Sequence, residues 1–252
     1  MEPDPNIVVP AVVDATTNAL KSAFKEPSVK RFVLTSSSTA AYSPDEGNDK
    51  PLKVTVDTWN DSVVEAAWAP PPYTADRGFV TYSASKTQGE QALWKYYKEH
   101  AAEKPGFVVN SVLPNMNTGL ILNLEHQSTR STVGFLKPVW DGEPAKHTGM
   151  IPPQFYVDVQ DCARLHVAAL LLPDVREERV FAFATPFNVN TELAAFRKIR
   201  PGRKFVDDLP DVPVHLAEVP NDRAEELLRK VGRKGWVPME ESFENMLPAY
   251  EQ

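Results

Sequence analysis

Residues 29–42 read VKRFVLTSSSTAAY, and the fold follows from them. Phe32, Val33 and Leu34 form a short apolar run without alternation, which predicts a strand buried on both faces, as in a parallel sheet. Four hydroxyl side chains, Thr35 to Ser38, follow it directly. The carboxyl end of such a strand is where an α/β sheet presents groups to a ligand.

Working outward, residues 7–24 place Val9, Val12, Val13, Leu20, Ala23 and Phe24 at helical spacing, with Pro10 tolerable only near the start. Residues 82–101 predict a second helix with Ala92, Leu93, Tyr96 and Tyr97 on its apolar stripe. Residues 107–113 (FVVNSVL) predict another strand, ending at Pro114 and Asn115. Helices are expected at 132–140, 162–172, 192–199, 223–231 (stopped by Gly232) and 240–247, and strands at 155–159 and 180–184. Residues 43–80 are rich in Pro, Asp and Trp and show no period, so they read as a long structureless excursion of functional use. Helix and strand alternate, which argues for an α/β fold with a mostly parallel sheet. A single domain over 1–252 is expected. Its core would lie at about 1–115 and 155–190, and its substrate-facing segments at about 43–80, 116–150 and 190–252, the last a small C-terminal substrate-binding part.

Composition narrows the function. Lys and Arg total 27 against 34 Asp and Glu, a formal charge of −7, with no basic stripe for nucleic acid. One cysteine, Cys162, excludes an intramolecular disulfide framework and a multi-cysteine metal site, and five dispersed histidines suggest no zinc site. No apolar run approaches the roughly 18–20 residues of a membrane span. The opening MEPDPN is unlike a signal peptide, so a cytoplasmic protein is expected. Glycine is sparse, 11 of 252 residues, whereas proline reaches 23.

The chemistry centres on Tyr82-Ser83-Ala84-Ser85-Lys86. Positions i and i+4 share a helix face, so the Lys86 charge stabilises a Tyr82 phenolate and lowers a phenol pKa that is otherwise about 10. A serine from the strand end and the Tyr82 hydroxyl, aimed at one carbonyl oxygen, make an acid and oxyanion-stabilising pair.

VKRFVLTSSSTAAY, YSASKTQGEQALWKYYKEH, FVVNSVLPN, YVDVQDCARLHVAALL and RKGWVPMEESFENML together resemble the extended short-chain dehydrogenases/reductases. The likeness is to fungal aldehyde and ketone reductases and their dihydroflavonol and cinnamoyl-CoA reductase relatives, and it runs along essentially the whole chain. The resemblance implies a Rossmann-like fold in which Tyr82 is the catalytic acid/base and Lys86 its helper. The catalytic serine falls on Ser37 counted from the strand, or on Ser38 counted from Tyr42. Pro114 and Asn115 match the segment flanking the nicotinamide.

One departure stands out. The family opens with a Gly-x-x-Gly-x-x-Gly turn that holds the pyrophosphate, whereas the first glycine here is Gly47. A truncated Rossmann-like fold is therefore expected, lacking roughly 80–90 residues of the dinucleotide half. Three readings of the activity stay open. The first, carried forward here, has no cofactor: Ser37, Tyr82 and Lys86 perform dehydration, isomerisation or cyclisation of a carbonyl-rich small metabolite. The second is a NADPH-dependent aldehyde or ketone reductase, with NADP(H) held through Tyr82, Lys86, Pro114 and Asn115. The third is a non-catalytic binding remnant.

Trp59, Trp68, Tyr73, Asn115, Phe135, Trp140 and His147 are expected to line a substrate pocket, although packing is the simpler role for any one aromatic and a surface position the simpler one for His147. Asp158 and Asp161 read as helix caps, His166 as a hydrogen-bonded structural residue and Cys162 as buried and inert. A homodimer covering an exposed sheet side is expected, since bare strand edges and apolar patches associate.

Overall fold

A computed structural model describes residues 1–127 and 131–251. The elements run in chain order as α1 (Pro5–Lys25), β1 (Arg31–Thr35), β2 (Leu52–Lys53), α2 (Asp61–Ala67), α3 (Gly78–His100), β3 (Val108–Pro114) and β4 (Met116–Thr118). There follow α4 (Thr132–Trp140), α5 (Pro144–Thr148), β5 (Gln154–Asp158), α6 (Val159–Leu171), β6 (Arg179–Ala182) and β7 (Thr185–Phe187). The chain closes with α7 (Val189–Ile199), β8 (Ala217–Glu218), α8 (Asp222–Lys230) and α9 (Met239–Met246). This is an α/β, Rossmann-like arrangement. Of the expected segment 116–150, residues 128–130 lie outside the described residues.

The chain divides into two units: residues 1–43, 54–113 and 166–181 form the first, and 44–53, 114–165 and 182–252 the second. In the first unit the sheet order is β1-β3-β6, and β1 runs parallel to β3 with Arg31 opposite Val108 and Thr35 opposite Val112. β3, in the middle, is buried along its whole length. β1 is not the doubly buried strand its apolar run predicts. Among the described residues it pairs on one side, with β3, and its side chains are mostly half-buried.

Helix α1 opens with Asp4, whose side chain accepts from Asn6 N, and with Pro5 in the first turn, where its missing N–H costs nothing. It packs along α3. At Gly89 a Cβ would stand 3.2 Å from Val12 Cγ1, so glycine sets how near the two helices come. Leu20, Leu93, Trp94, Tyr97, Phe107 and Val109 fill the core between helices and sheet.

The segment 43–80 is not structureless. It carries β2, α2 and short 3-10 turns at Pro44–Gly47 and Ala75–Arg77. Arg77 orders the stretch after α2: its guanidinium donates to the carbonyls of Ala66, Ala67, Ala69, Pro70 and Pro72 at 2.9–3.3 Å. A single cation gathers carbonyls from the last turn of α2 and from the loop that follows it.

In the second unit β4, β5 and β7 form a sheet, β4 parallel and β7 antiparallel to β5. Leu136, Trp140, Phe187, Leu193, Phe196, Phe243 and Met246 are among its core. Gly119, at φ +107, lies against Asp158: a Cβ there would overlap the carboxylate oxygen Oδ2. Among the described residues no helix is long and apolar enough to cross a membrane, and no group of three or more His, Cys, Asp or Glu is placed to hold a metal.

Candidate active site

β1 ends at Thr35, and Ser36 extends it by donating its N–H to Val112 O at 2.8 Å. The chain then turns through a 3-10 helix, Ser38–Ala40, for which Ser37 is the cap. Ser37 Oγ accepts from Thr39 N at 3.3 Å and from Thr39 Oγ1 at 3.0 Å. With both contacts on its lone pairs, the Ser37 proton is uncommitted among the described residues. Ser38 is buried in the same turn. Thr87 Oγ1 donates to Thr39 O at 3.4 Å and Asn60 Nδ2 to the same carbonyl at 2.9 Å, which latches this turn to α3 and to the start of α2.

Tyr82 and Lys86 lie on successive turns of α3, as their spacing predicts. Tyr82 stacks on Phe79 with ring centroids 6.1 Å apart, and its hydroxyl bonds to none of the described residues. Lys86 Nζ stands 6.0 Å from the Tyr82 ring centroid and 3.5 Å from Thr35 O. Burial draws the Lys86 pKa below its ordinary value, and the nearby Glu90 carboxylate opposes that pull. In the first unit Lys86 thus meets the carboxyl end of β1, and the turn that carries Ser37 and Ser38 is tied to the same helix through Thr87.

The expected pocket residues fare differently. In the first unit, Trp59 packs in the core with the Arg179 guanidinium 3.8 Å from its ring centroid. Tyr73 lies under Arg77 at 4.9 Å and its hydroxyl accepts from Asn6. Trp68 is exposed and donates from Nε1 to Gln88 at 2.8 Å. In the second unit, Trp140 is core, ringed by Phe196, Phe205 and Tyr250, and Phe135 packs against that core. The surface reading of His147 is corrected as well: it is 1% exposed, with Nδ1 on Phe135 O at 2.7 Å and Nε2 3.0 Å from Glu192. These aromatic and imidazole groups are held by packing and by partners of their own. Asn115 Oδ1 accepts from Met116 N at 2.8 Å, just after Pro114 ends β3. A cavity of about 180 Å³ in this unit is lined by Gly119, Leu120, Ile121, Val133 and Val159, among others, and by none of the expected pocket residues.

Asp158 caps α6 through Gln160 N at 2.8 Å, as expected, whereas Asp161 accepts from Val237 N at 2.6 Å and pins the chain before α9. His166 Nε2 lies 2.8 Å from Thr35 Oγ1. Cys162 is buried and its thiol is pushed up to about 12 by burial, which leaves it inert.

Sequence reasoning missed Glu90. It is 1% exposed and accepts from Ser36, Ser111, Trp94 and Arg179 at once. Its position four residues after Lys86, on a buried stripe of α3, was the available signal.

No protein-family profile matches the chain. Relatives do. The chain is 40% identical over 242 residues to an NAD-dependent epimerase/dehydratase of Aspergillus terreus, covering 95% of this chain and 69% of that one. It is 38% identical to aldehyde reductase 2 of Sporidiobolus salmonicolor over 96% of this chain and 68% of that one, and 37% identical to a ketoreductase of Aspergillus novofumigatus over 95% and 69%. Among solved structures, Gre2 of Candida albicans in complex with NADPH overlays with a TM-score of 0.77 at 20% identity, over 98% of this chain and 71% of that one. These findings overturn the expectation of cofactor-free, non-redox chemistry, because the relatives at 37–38% identity are named as an aldehyde reductase and a ketoreductase. A truncated fold is not established by these matches, which run along nearly all of this chain and about 70% of each of those proteins.

Proposed function

The chain belongs to the extended short-chain dehydrogenase/reductase family, in its NAD-dependent epimerase/dehydratase branch, and we propose that it is an enzyme reducing a ketone or aldehyde with NADPH. The observation that carries this reading is 37–38% identity, along at least 95% of the chain, to proteins named as an aldehyde reductase and a ketoreductase.

The residues fit the nicotinamide end of such a cofactor. Tyr82 offers a hydroxyl without a protein partner among the described residues, and Lys86 offers a half-buried ammonium with a single carbonyl at 3.5 Å. Tyr82 and Lys86 would hold the nicotinamide end of NADP(H) in the first unit. No Gly-x-x-Gly-x-x-Gly occurs in these 252 residues, so the phosphate contacts are not assigned to such a turn.

Hydride delivery to the carbonyl carbon is the chemistry a bound NADPH supplies. Ser37 donates its uncommitted proton to the substrate oxygen as a hydrogen bond, stabilising the charge that develops there. Tyr82 transfers its phenolic proton to that oxygen, completing the alcohol. The Lys86 ammonium, one turn along α3, stabilises the phenolate left behind. Solvent then returns the proton to Tyr82.

The test follows a panel of aliphatic and aromatic ketones and aldehydes with NADPH by absorbance at 340 nm, with the alcohol quantified and deuterium from labelled NADPH traced into it. Stoichiometric label transfer is the expected result. Absence of turnover together with absence of NADPH binding in calorimetry overturns the reading.

A second copy of the chain is the partner favoured by the first unit's surface. The outer edge of β1 is unpaired among the described strands, and Val167, Leu170 and Leu171 of α6 and Ile7 of α1 are exposed. Light scattering at micromolar concentration is expected to give a dimer mass, and a monomer throughout removes this part of the proposal.

A further inference from the structure

Glu90 is a charged side chain in the interior of the first unit, and both of its oxygens are fully engaged. Oε2 accepts from Ser36 Oγ at 2.7 Å. Oε1 accepts from Ser111 Oγ at 2.6 Å, from Arg179 Nε at 2.9 Å and from Trp94 Nε1 at 3.1 Å. Ser36 follows β1, Ser111 lies within β3 and Arg179 opens β6. One carboxylate on α3 therefore collects donors from β3, from β6 and from the residue just past β1. Arg179 is itself anchored: its NH1 donates to Val56 O at 2.8 Å and Thr58 O at 2.7 Å, and its guanidinium lies on Trp59.

The residues this junction touches are neighbours of the reacting groups. Ser36 stands between Thr35, whose carbonyl takes Lys86, and Ser37, the oxyanion donor. Glu90 is one helical turn past Lys86, which is one turn past Tyr82. Resting on the reductase reading above, we propose that Glu90 is the positioning residue of the active centre: through Ser36 and Arg179 it fixes the end of β1 against α3, and it supplies the counter-charge beside Lys86.

Stability alone is a poor explanation for such a group. Burying an ion pair often gains nothing over well-packed apolar residues of the same volume, because desolvation offsets the attraction. A charge placed beside a lysine that must stay protonated has a use that an apolar side chain lacks. Lys86 is disfavoured as an ammonium by burial and favoured by Glu90. The groups around it are Glu90 and Tyr82 on its own helix, Arg179 behind Glu90 on β6, Thr35 O on β1 and His166 on the Thr35 hydroxyl. Glu90 is the acidic member of that set. Removing its charge lowers the ammonium fraction of Lys86, whereas removing the Arg179 charge leaves Glu90 uncompensated and raises it.

That opposition of sign is the test, and it needs neither substrate nor cofactor. Lysines are reductively methylated with ¹³C-formaldehyde, and the Lys86 signal, identified by its loss in Lys86→Arg, is titrated by NMR. Glu90→Gln is expected to move the Lys86 midpoint down by about one pH unit, and Arg179→Gln to move it up. Where either single variant fails to fold, the Glu90→Gln/Arg179→Gln double variant, which buries no unpaired charge, is expected to give a smaller downward shift. A Lys86 midpoint unchanged in the variants that fold, or shifts of the same sign in both singles, overturns the proposal. In the reductase assay Glu90→Gln is expected to lower kcat about tenfold or more, with the carbonyl KM within about threefold, and Glu90→Asp to recover part of the loss. An enzyme that reduces no carbonyl refutes the function proposed above and leaves the Lys86 titration to decide this one.

Discussion

His147 Nε2 lies 3.0 Å from Glu192 Oε2 in the interior of the second unit, at 1% and 0% exposure. Nδ1 is committed to Phe135 O, which leaves Nε2 to face the carboxylate. Their alignment falls short of a good hydrogen bond, and Glu192 has no other donor among the described residues. Burial pulls the imidazole pKa down, yet the bond and charge of Glu192 and the Phe135 carbonyl outweigh it and the net shift is upward. Burial also raises the Glu192 carboxyl, against the pull of His147.

Both groups therefore hold protons more tightly folded than unfolded. The His147 contribution to stability is complete below the ordinary histidine value and is lost as pH rises through its raised folded value, and that of Glu192 is complete below the ordinary carboxyl value and is lost as pH rises through its own. The melting temperature is expected to fall from neutral to mildly alkaline pH, and the His147→Gln/Glu192→Gln double variant to show a flatter profile by calorimetry. His147→Ala alone strands a buried carboxylate and is expected to cost about 3–5 kcal/mol.

Tyr82→Phe separates chemistry from architecture. Its hydroxyl bonds to none of the described residues, so the melting temperature is expected to stay within the change expected for about 0.5 kcal/mol. Carbonyl reduction is expected to fall by about 10²–10⁴-fold in kcat. Loss of both activity and fold would assign Tyr82 to packing instead.

Arg77 holds the segment that follows α2. Arg77→Met removes the donors for the carbonyls of Ala66, Ala67, Ala69, Pro70 and Pro72 and is expected to cost roughly 2–4 kcal/mol. Arg77→Lys is expected to recover little, because an ammonium lacks the planar fork of five donors. Urea midpoints and protease cutting within 66–76 measure both effects.

Gly119→Ala is expected to destabilise the protein by roughly 3 kcal/mol or more, through positive φ and overlap with Asp158. Asp158 cannot retreat freely: its Oδ2 takes Ser242 Oγ at 2.7 Å, and Thr118 Oγ1 lies 2.7 Å from the same hydroxyl. A neutral substitution in thermal melts would mean that this network has slack.

What was legible in the sequence was local. The period of residues 7–24 locates α1, the apolar run at 107–113 locates β3, the expected helix at 132–140 is α4, and Gly232 ends α8 at φ +89. The four-residue spacing of Tyr82 and Lys86 places them one helical turn apart whatever surrounds them. Such features follow from backbone geometry over a few residues, so a few residues encode them.

Only the tertiary structure decided the rest. The burial of β1 depends on which strands flank it, and its apolar run says nothing about that. Residues 43–80 lack a period because their order comes from side chains such as Arg77 and Asn60 reaching backbone groups elsewhere. Glu90 sits 54 residues from Ser36 and 89 from Arg179, so its spacing from Lys86 marks its helix face but not the partners it meets there. Its role exists once the sheet closes over α3 and water is excluded, since only then must a carboxylate find all its donors within the protein.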